Sequence, residues 1–423
     1  MNVQNKAVAH FHDGALLAEP FEFFAKLRAE APVTLTQGPN GAEFFMVTSA
    51  DMIEEATRRN EDFSNKMGHL LFEGQMLPEV VEILAQVTMP PGGILTHDNP
   101  QHGRYRVLVN SVFTKGRIAN LAPVVERITD EIIDDFIEAG ECDFVNQFAV
   151  LLPTYIIADI LGLPRDKYSQ VRQWSDGVIR IVSRMGSKQE EIDAAHMVIS
   201  FRRFILSMIA ERRKDPQDDL ISSLINARHE GVEPLRDDEI GPIAMEIAVA
   251  GNETTRNTLM STMARFIKNP SLMEELKNEP DLITNAVEEM LRYETPATAM
   301  WRIAAHDPEL GGVAIPAGSA VLLRFDAGNR DPQRFENPDV FDMHRKNAKM
   351  HMAFGAPGMH RCLGQMLARK ELAIAFPKLL DRLKNLRIIA EGSDTHYWPG
   401  LLHRGITSLR IGFDPGPRVY PAA

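Results

Sequence analysis

Cys362 carries the chemistry that is easiest to name. It lies in Phe354-Gly-Ala-Pro-Gly-Met-His-Arg-Cys362-Leu-Gly364, a glycine-rich stretch that runs directly into helical spacing over residues 365–380. Glycine permits tight turns and close approach of the backbone to another group. The N–H groups and dipole at a helix start favour an anion, and His360 and Arg361 are expected to add positive charge. A thiol with a pKa of about 8.5 is driven toward thiolate in such a setting. A thiolate held open on a loop is a nucleophile or a metal ligand. The plainer reading is a buried cysteine in the turn before a helix. Cys142, the second of two cysteines, stands in a turn before an apolar run and reads as a buried structural thiol.

Three other groups of residues have spacing that suits chemistry. A segment from Asp237 or Asp238, either of which is expected to cap it, runs to about Lys268 and is apolar on nearly all sides around 240–250. That is the pattern of a buried helix, roughly 45 Å long at 1.5 Å per residue. Its middle is Ala250-Gly251-Asn252-Glu253-Thr254-Thr255. A mid-helix glycine costs about 1 kcal/mol relative to alanine, and Asn, Glu and Thr are costly to bury without partners. Interruptions of this kind mark functional sites. His102 and Arg106 are four apart and share a helix face, and Glu289 and Arg292 are three apart and can pair. Taken alone, either pair also reads as a solvated surface.

The elements that must position these residues are mostly helical. Helical spacing covers residues 20–30, 78–86, 120–140, 144–163, 167–185, 190–214 and 282–293, with Ser49 expected to cap another helix. Arg202, Arg203, Arg212 and Arg213 read as a solvated face. Short β-like runs cover 33–36, 44–48, 386–389 and 408–411, and 303–325 alternates β-like pieces with turns. A chain of 423 residues would ordinarily divide into two or three domains, but no linker, repeat or charge run divides this one. We expect one mainly α domain over 1–423, with β-rich portions near 31–48, 303–325 and 386–411. The net charge of −12 argues against a general nucleic-acid binder. Two cysteines give no disulfide framework or zinc spacing and fit a reducing cytoplasm. Residues 1–14 lack the apolar core of a signal peptide, and no apolar run reaches membrane-spanning length.

Around Cys362 the pattern F-G-x-x-G-x-H-x-C-x-G resembles the haem-binding loop of the cytochrome P450 superfamily. One feature departs from it: Phe354 stands eight residues before the cysteine rather than seven, and the extra residue is most simply Pro357. Ala250 to Thr255 resembles that family's A-G-x-[DE]-T-T, and Glu289 and Arg292 its E-x-x-R. The family's H-x-x-x-R is matched by His102 and Arg106, led in by Asp98 and Pro100. The resemblance implies a single, mostly helical prism with a smaller β-rich lobe, enclosing haem b with the Cys362 thiolate as axial metal ligand.

It further implies that His102, Arg106 and Arg302 hold the haem propionates, and that His360, Phe354 and Gly358 shape the cysteine loop. Ala250 and Gly251 would lie over the haem, with Glu253 and Thr254 delivering protons. Val249, Ala250, Thr298, Ala299, Met300 and Leu402 would line a substrate pocket covered by residues 68–93. Glu289, Arg292 and Arg345 would form a structural cluster. The implied activity is a bacterial, cytoplasmic haem-thiolate monooxygenase, monomeric and without a membrane anchor. It would use dioxygen and two electrons from a ferredoxin and its reductase. Arg104, Lys115, Arg117 and Arg361 are candidates for the docking patch. The implied substrate is a small apolar molecule of steroid or terpenoid type, with fatty acids and small aromatics as alternatives. The rival readings are a peroxide-using or rearranging haem-thiolate enzyme and a non-catalytic haem sensor.

Overall fold

The computed structural model describes residues 9–11, 13–38, 41–68, 76–89, 92–183 and 187–421. The expected turn at 38–41 and pocket cover at 68–93 therefore fall partly outside the described residues, as does most of 1–14.

The apolar run after Arg236 forms one helix, Asp237–Lys268, of 32 residues. Three acidic residues in its first turn suit the positive end of the helix dipole. The expected cap is corrected: Arg236 holds the cap position, and Asp237 and Asp238 lie inside the helix. Glu239 does the capping work, accepting the Arg236 N–H at 2.9 Å. Ile240, Ile243, Ala244, Ala248, Leu259, Met263 and Phe266 are buried around the helix, which packs against Leu151–Leu161, Lys188–Lys214 and Gln365–Arg382. Phe266 meets Phe376 of that last helix edge-on, ring centroids 5.5 Å apart. Full burial of such a side chain stabilises the fold by about 1.5–3 kcal/mol.

The other helices follow their apolar spacing with local exceptions. The run at 120–140 ends sooner than its pattern, as Ala122–Asp134 and a short turn Ile137–Ala139. Gly140, at φ +72°, takes the left-handed conformation that stops it. The run at 144–163 splits into a wide turn, Val145–Ala149, and the helix Leu151–Leu161. Ser49 precedes the helix Ala50–Arg58 without a side-chain cap. The Ala50 N–H goes instead to Asp331 Oδ2 at 2.9 Å, from a distant part of the chain. The arginine face on Lys188–Lys214 is only half solvated. Arg202 donates to the Leu84 and Val87 carbonyls (2.9 and 3.2 Å), and Arg212 pairs with the buried Asp219 at 2.5 Å.

The β-rich lobe is a six-stranded mixed sheet in the order Ala9–His10, Val33–Gln37, Glu43–Val47, Ala320–Arg324, Ala299–Ala304, Phe63–Ser64. A second sheet pairs Lys384–Tyr397 with Ile406–Asp414, and the latter with Glu141–Asp143. Cys142 lies there, buried at 4 % exposure, with its thiol pushed far up by burial. No helix among the described residues is long and apolar enough to cross a membrane.

Candidate active site

The helix Gln365–Arg382 starts three residues past Cys362, with Gly364 at its cap. The Cys362 N–H donates to the Phe354 carbonyl at 2.9 Å, closing the loop on itself. Gly355 makes the turn at φ +79°. A Cβ on Gly358 would sit 2.6 Å from the Thr57 carbonyl oxygen, so the loop can lie this close to the helix Ala50–Arg58 only with glycine there. Pro357 has its own anchor: its carbonyl accepts the Thr57 hydroxyl at 3.2 Å. The Phe354 ring packs under the Arg369 guanidinium, 4.4 Å away, and beside His351.

The source of the electrostatics differs from the reading of the sequence. Burial pushes the Cys362 thiol up, against hydrogen bonds from the Gly364 and Gln365 N–H groups and the fields of Arg106 and Arg369. His360 adds no charge, because burial and neighbouring cations hold it down at about 2. The helix start and these fields favour the thiolate, and a metal on the sulfur would favour it further.

Four cationic or donor side chains converge beside this loop. His102 sits in the first turn of Gln101–Asn110, with Arg106 one turn further. His102 and His360 stack with ring centroids 3.8 Å apart. Arg302 comes from the strand Ala299–Ala304 and is 3 % exposed. Both ring nitrogens of both histidines and Nε of Arg302 are buried without a hydrogen-bond partner. Burial lowers His102 to about 4 and Arg302 to about 10. Arg106 is also lowered by burial and makes no ion pair among the described residues. The nearest acid, Asp98, is already engaged by Ser64 Oγ (2.5 Å) and the Asn65 N–H (2.8 Å). Buried donors without acceptors are rare in folded proteins. A cluster of them asks for an anion.

The long helix runs unbroken through Gly251. Ala250 is exposed, and Val249, Gly251 and Thr254 are half-exposed, where residues 240–245 and 257–264 are buried. The Thr254 hydroxyl donates to the Ala250 carbonyl at 3.2 Å. Glu253 is buried, and its Oε1 accepts from Arg256 at 2.7 Å and Asn257 at 3.4 Å. Its Oε2, together with Asn252 Oδ1 and Asn257 Oδ1, has no partner.

The expected pocket strand needs a correction. Ala299 and Trp301 share one face, and Ala299, 1 % exposed, lies in the cluster of Phe24 and Leu322 rather than against the long helix. Thr298 spends its hydroxyl on the Leu401 carbonyl (3.1 Å) and its N–H on that of Leu402 (2.9 Å). Met300 packs half-buried on the β-lobe core. The expected docking patch also loses a member: Arg104 is turned to Glu239, at 2.7 and 2.9 Å.

Glu289, Arg292 and Arg345 come together in the interior, 0, 0 and 6 % exposed. Arg292 grips Glu289 through two nitrogens (2.7 and 2.8 Å), and Arg345 Nε lies 3.2 Å from each carboxylate oxygen. The Asp342 N–H adds a fourth donor group. Reading the sequence missed the adjacent cluster of Glu288, His351 and Arg369, and also buried Glu371, whose carboxyl burial raises to about 8 despite a bond from Thr255. Nothing in spacing separates Glu288 from Glu289.

A mostly helical fold with a small β lobe, a cysteine just before a helix start and a cluster of donors without acceptors beside it fit a haem-thiolate oxygenase. The comparisons with known proteins agree. The family model for Cytochrome P450 matches residues 181–388. The chain is 34 % identical over 363 residues to a steroid C26-monooxygenase of Mycobacterium tuberculosis, covering 86 % of this chain and 93 % of that one. It is 32 % identical to the 6-deoxyerythronolide B hydroxylase of Saccharopolyspora erythraea, covering 93 % and 96 %. The crystal structure of CYP109E1 from Bacillus megaterium with corticosterone superposes with a TM-score of 0.80 at 29 % identity, covering 94 % and 99 %.

The chain belongs to the cytochrome P450 family and is a monooxygenase of that family. Haem with cysteine thiolate ligation is the family's cofactor. The residues present fit it: buried donor atoms of His102, His360 and Arg302 without acceptors suit carboxylates, and the Cys362 sulfur takes hydrogen bonds from the Gly364 and Gln365 N–H groups that suit a thiolate ligand.

Proposed function

We propose that this chain hydroxylates a bulky apolar small molecule of steroid or terpenoid type, using haem b held by Cys362. The observation that carries the cofactor assignment is the set converging beside the Cys362 loop: His102 and Arg302, buried, with half-buried His360 and Arg106, the first three carrying buried nitrogens without a hydrogen-bond partner and Arg106 without an ion pair among the described residues. The substrate class is supported by similarity to the steroid C26-monooxygenase and to the corticosterone-bound structure.

Haem bound there supplies the centre that activates dioxygen, with two electrons from a separate donor. The chain's own residues do the rest. Cys362 ligates through a sulfur fixed by the Gly364 and Gln365 N–H groups. His102, Arg106 and Arg302 bind the propionates through charge-assisted bonds worth about 1.5–3 kcal/mol each. Ala250 and Val249 shape an apolar wall that excludes bulk water. Thr254 exchanges its bond to the Ala250 carbonyl for one to water beside the reacting oxygen. Glu253 rotates from Arg256 and Asn257 to carry protons inward. The three partnerless oxygens around Glu253 suit ordered water. A ferredoxin with its reductase supplies electrons, docking near Lys115 and Arg361.

The test is a titration of the ferric protein with a sterone, a monoterpenoid, a fatty acid and an aromatic acid, watching the Soret band. A low-to-high-spin shift with the sterone or monoterpenoid supports the substrate class, and a shift only with the aromatic acid overturns it. A ferrous–CO complex without the strongly red-shifted Soret band of thiolate ligation would remove Cys362 from its role.

A further inference from the structure

Glu246 lies one helical turn before Ala250, on the same face of the long helix. Its carboxylate faces no cation: no arginine, lysine or histidine pairs with it among the described residues. Three successive backbone N–H groups hold it instead. Gly93 donates to Oε1 at 2.8 Å, Ile94 to Oε2 at 2.6 Å and Leu95 to Oε2 at 3.3 Å. Consecutive N–H groups turned inward form an anion-binding concavity. A Cβ on Gly93 would lie 2.7 Å from Oε2, so any other residue there would push the carboxylate off these N–H groups.

The held segment leads directly to the cofactor cradle. His97 Nδ1 bonds the Gly93 carbonyl at 2.7 Å, and the Asp98 carbonyl accepts the His102 N–H at 2.9 Å. Asp98 is pinned to Ser64 and Asn65. On the other side, Met89 lies over Gly241 of the same long helix, and Arg202 holds the Leu84 and Val87 carbonyls. Within residues 93–97 the hydrogen bonds to the long helix all go to the Glu246 side chain, beside the apolar contact of Ile94, which is buried in the main core.

Even half-buried, a carboxylate without a counter-charge loses hydration, a cost that a Leu or Met there would not carry. Charge-assisted bonds from three N–H groups offset it only while the segment is down. With the segment lifted, the same carboxylate regains water. The two states are therefore closer in energy than an apolar contact would leave them.

We infer that Glu246 is a positioning residue that latches residues 93–97 onto the long helix and so governs access of substrate to the space beside Ala250. The inference rests on the reading of Ala250 as substrate-facing.

The test uses the purified haem-loaded protein as wild type, Glu246→Gln, Gly93→Ala and the double variant. Two readouts are needed: amide hydrogen exchange of residues 93–97 against that of Ala122–Asp134, and the association rate of imidazole followed at the Soret band. Each single variant is expected to speed exchange at 93–97 about tenfold or more while leaving Ala122–Asp134 unchanged, and to raise the imidazole association rate several-fold. The double variant should add little, because both changes break one contact. If Glu246→Gln does not fold, Gly93→Ala tests the same contact from the other side. Unchanged exchange at 93–97, exchange raised equally throughout, additive effects, or faster exchange with an unchanged imidazole rate would each overturn the latch. Failure of the haem-thiolate reading would appear separately, in the ferrous–CO spectrum of the wild type.

Discussion

The imidazole rings of His102 and His360 stack 3.8 Å apart, tilted by 32°, and neither makes a hydrogen bond through either nitrogen. One opens a helix early in the chain and the other precedes Cys362 near its end. Their contact makes one receptor of two distant segments, completed by Arg302. Replacing His102 or Arg302 by leucine should weaken haem retention roughly 10- to 100-fold, from about 1.5–3 kcal/mol per charge-assisted bond. The haem-to-protein ratio after transfer to apomyoglobin measures it. Retention equal to wild type in both variants would remove the propionate role.

Glu289 receives Arg292, Arg345 and the Asp342 N–H in an interior closed to water. Its removal leaves two guanidinium groups buried without a counter-charge. Glu289→Gln should cost about 3–5 kcal/mol of stability, read by chemical denaturation. A loss below about 1 kcal/mol, the size of a surface pair, would show that the cluster carries little of the fold.

Thr254→Ala removes the hydroxyl that now bonds the Ala250 carbonyl. Electron consumption should continue while product falls and peroxide rises. Glu253→Gln should slow turnover by about 10²–10⁴-fold, the usual range for a lost acid–base group, with a larger solvent isotope effect. Coupling unchanged in Thr254→Ala would end the proposed proton role of that residue.

Glu288 is one buried carboxyl that makes stability depend on pH. Burial raises its carboxyl, but bonds from His351 (3.0 Å) and Arg369 (2.8 and 3.0 Å) outweigh burial and hold it at about 2, below the ordinary 4.5. A carboxyl lowered by folding contributes stability that is fully present above pH 4.5 and is lost as pH falls through about 2. Glu288→Gln should therefore flatten the fall in stability across that window, measured by denaturation at a series of pH values. An unchanged slope would place the acid sensitivity elsewhere.

Local pattern was enough to locate much of this architecture. The long helix, the cysteine helix and the strands near 33–47 all have the periodicity that backbone geometry imposes, so they are legible without partners. The cap of the long helix was misplaced because capping is decided by which side chain reaches the N–H groups, and Glu239 reaches back from inside the helix. Ser49 failed as a cap for the converse reason: Asp331 arrives from afar. Ala299 could not be assigned to a face until its strand was registered between Ala320–Arg324 and Phe63–Ser64, because a one-residue change of register exchanges the two faces.

The sequence by itself determined the residue types that chemistry needs and their order along the chain: a cysteine before a helix, an acid and a threonine inside another, paired histidine and arginine. These follow from local spacing, which survives without a fold. Only the tertiary structure decided their charge and company. It made His360 neutral, moved the positive field at Cys362 to Arg106 and Arg369, turned Arg104 to Glu239 and placed Glu246 beneath Gly93. Burial and long-range proximity set those outcomes, and neither quantity is a property of neighbouring residues.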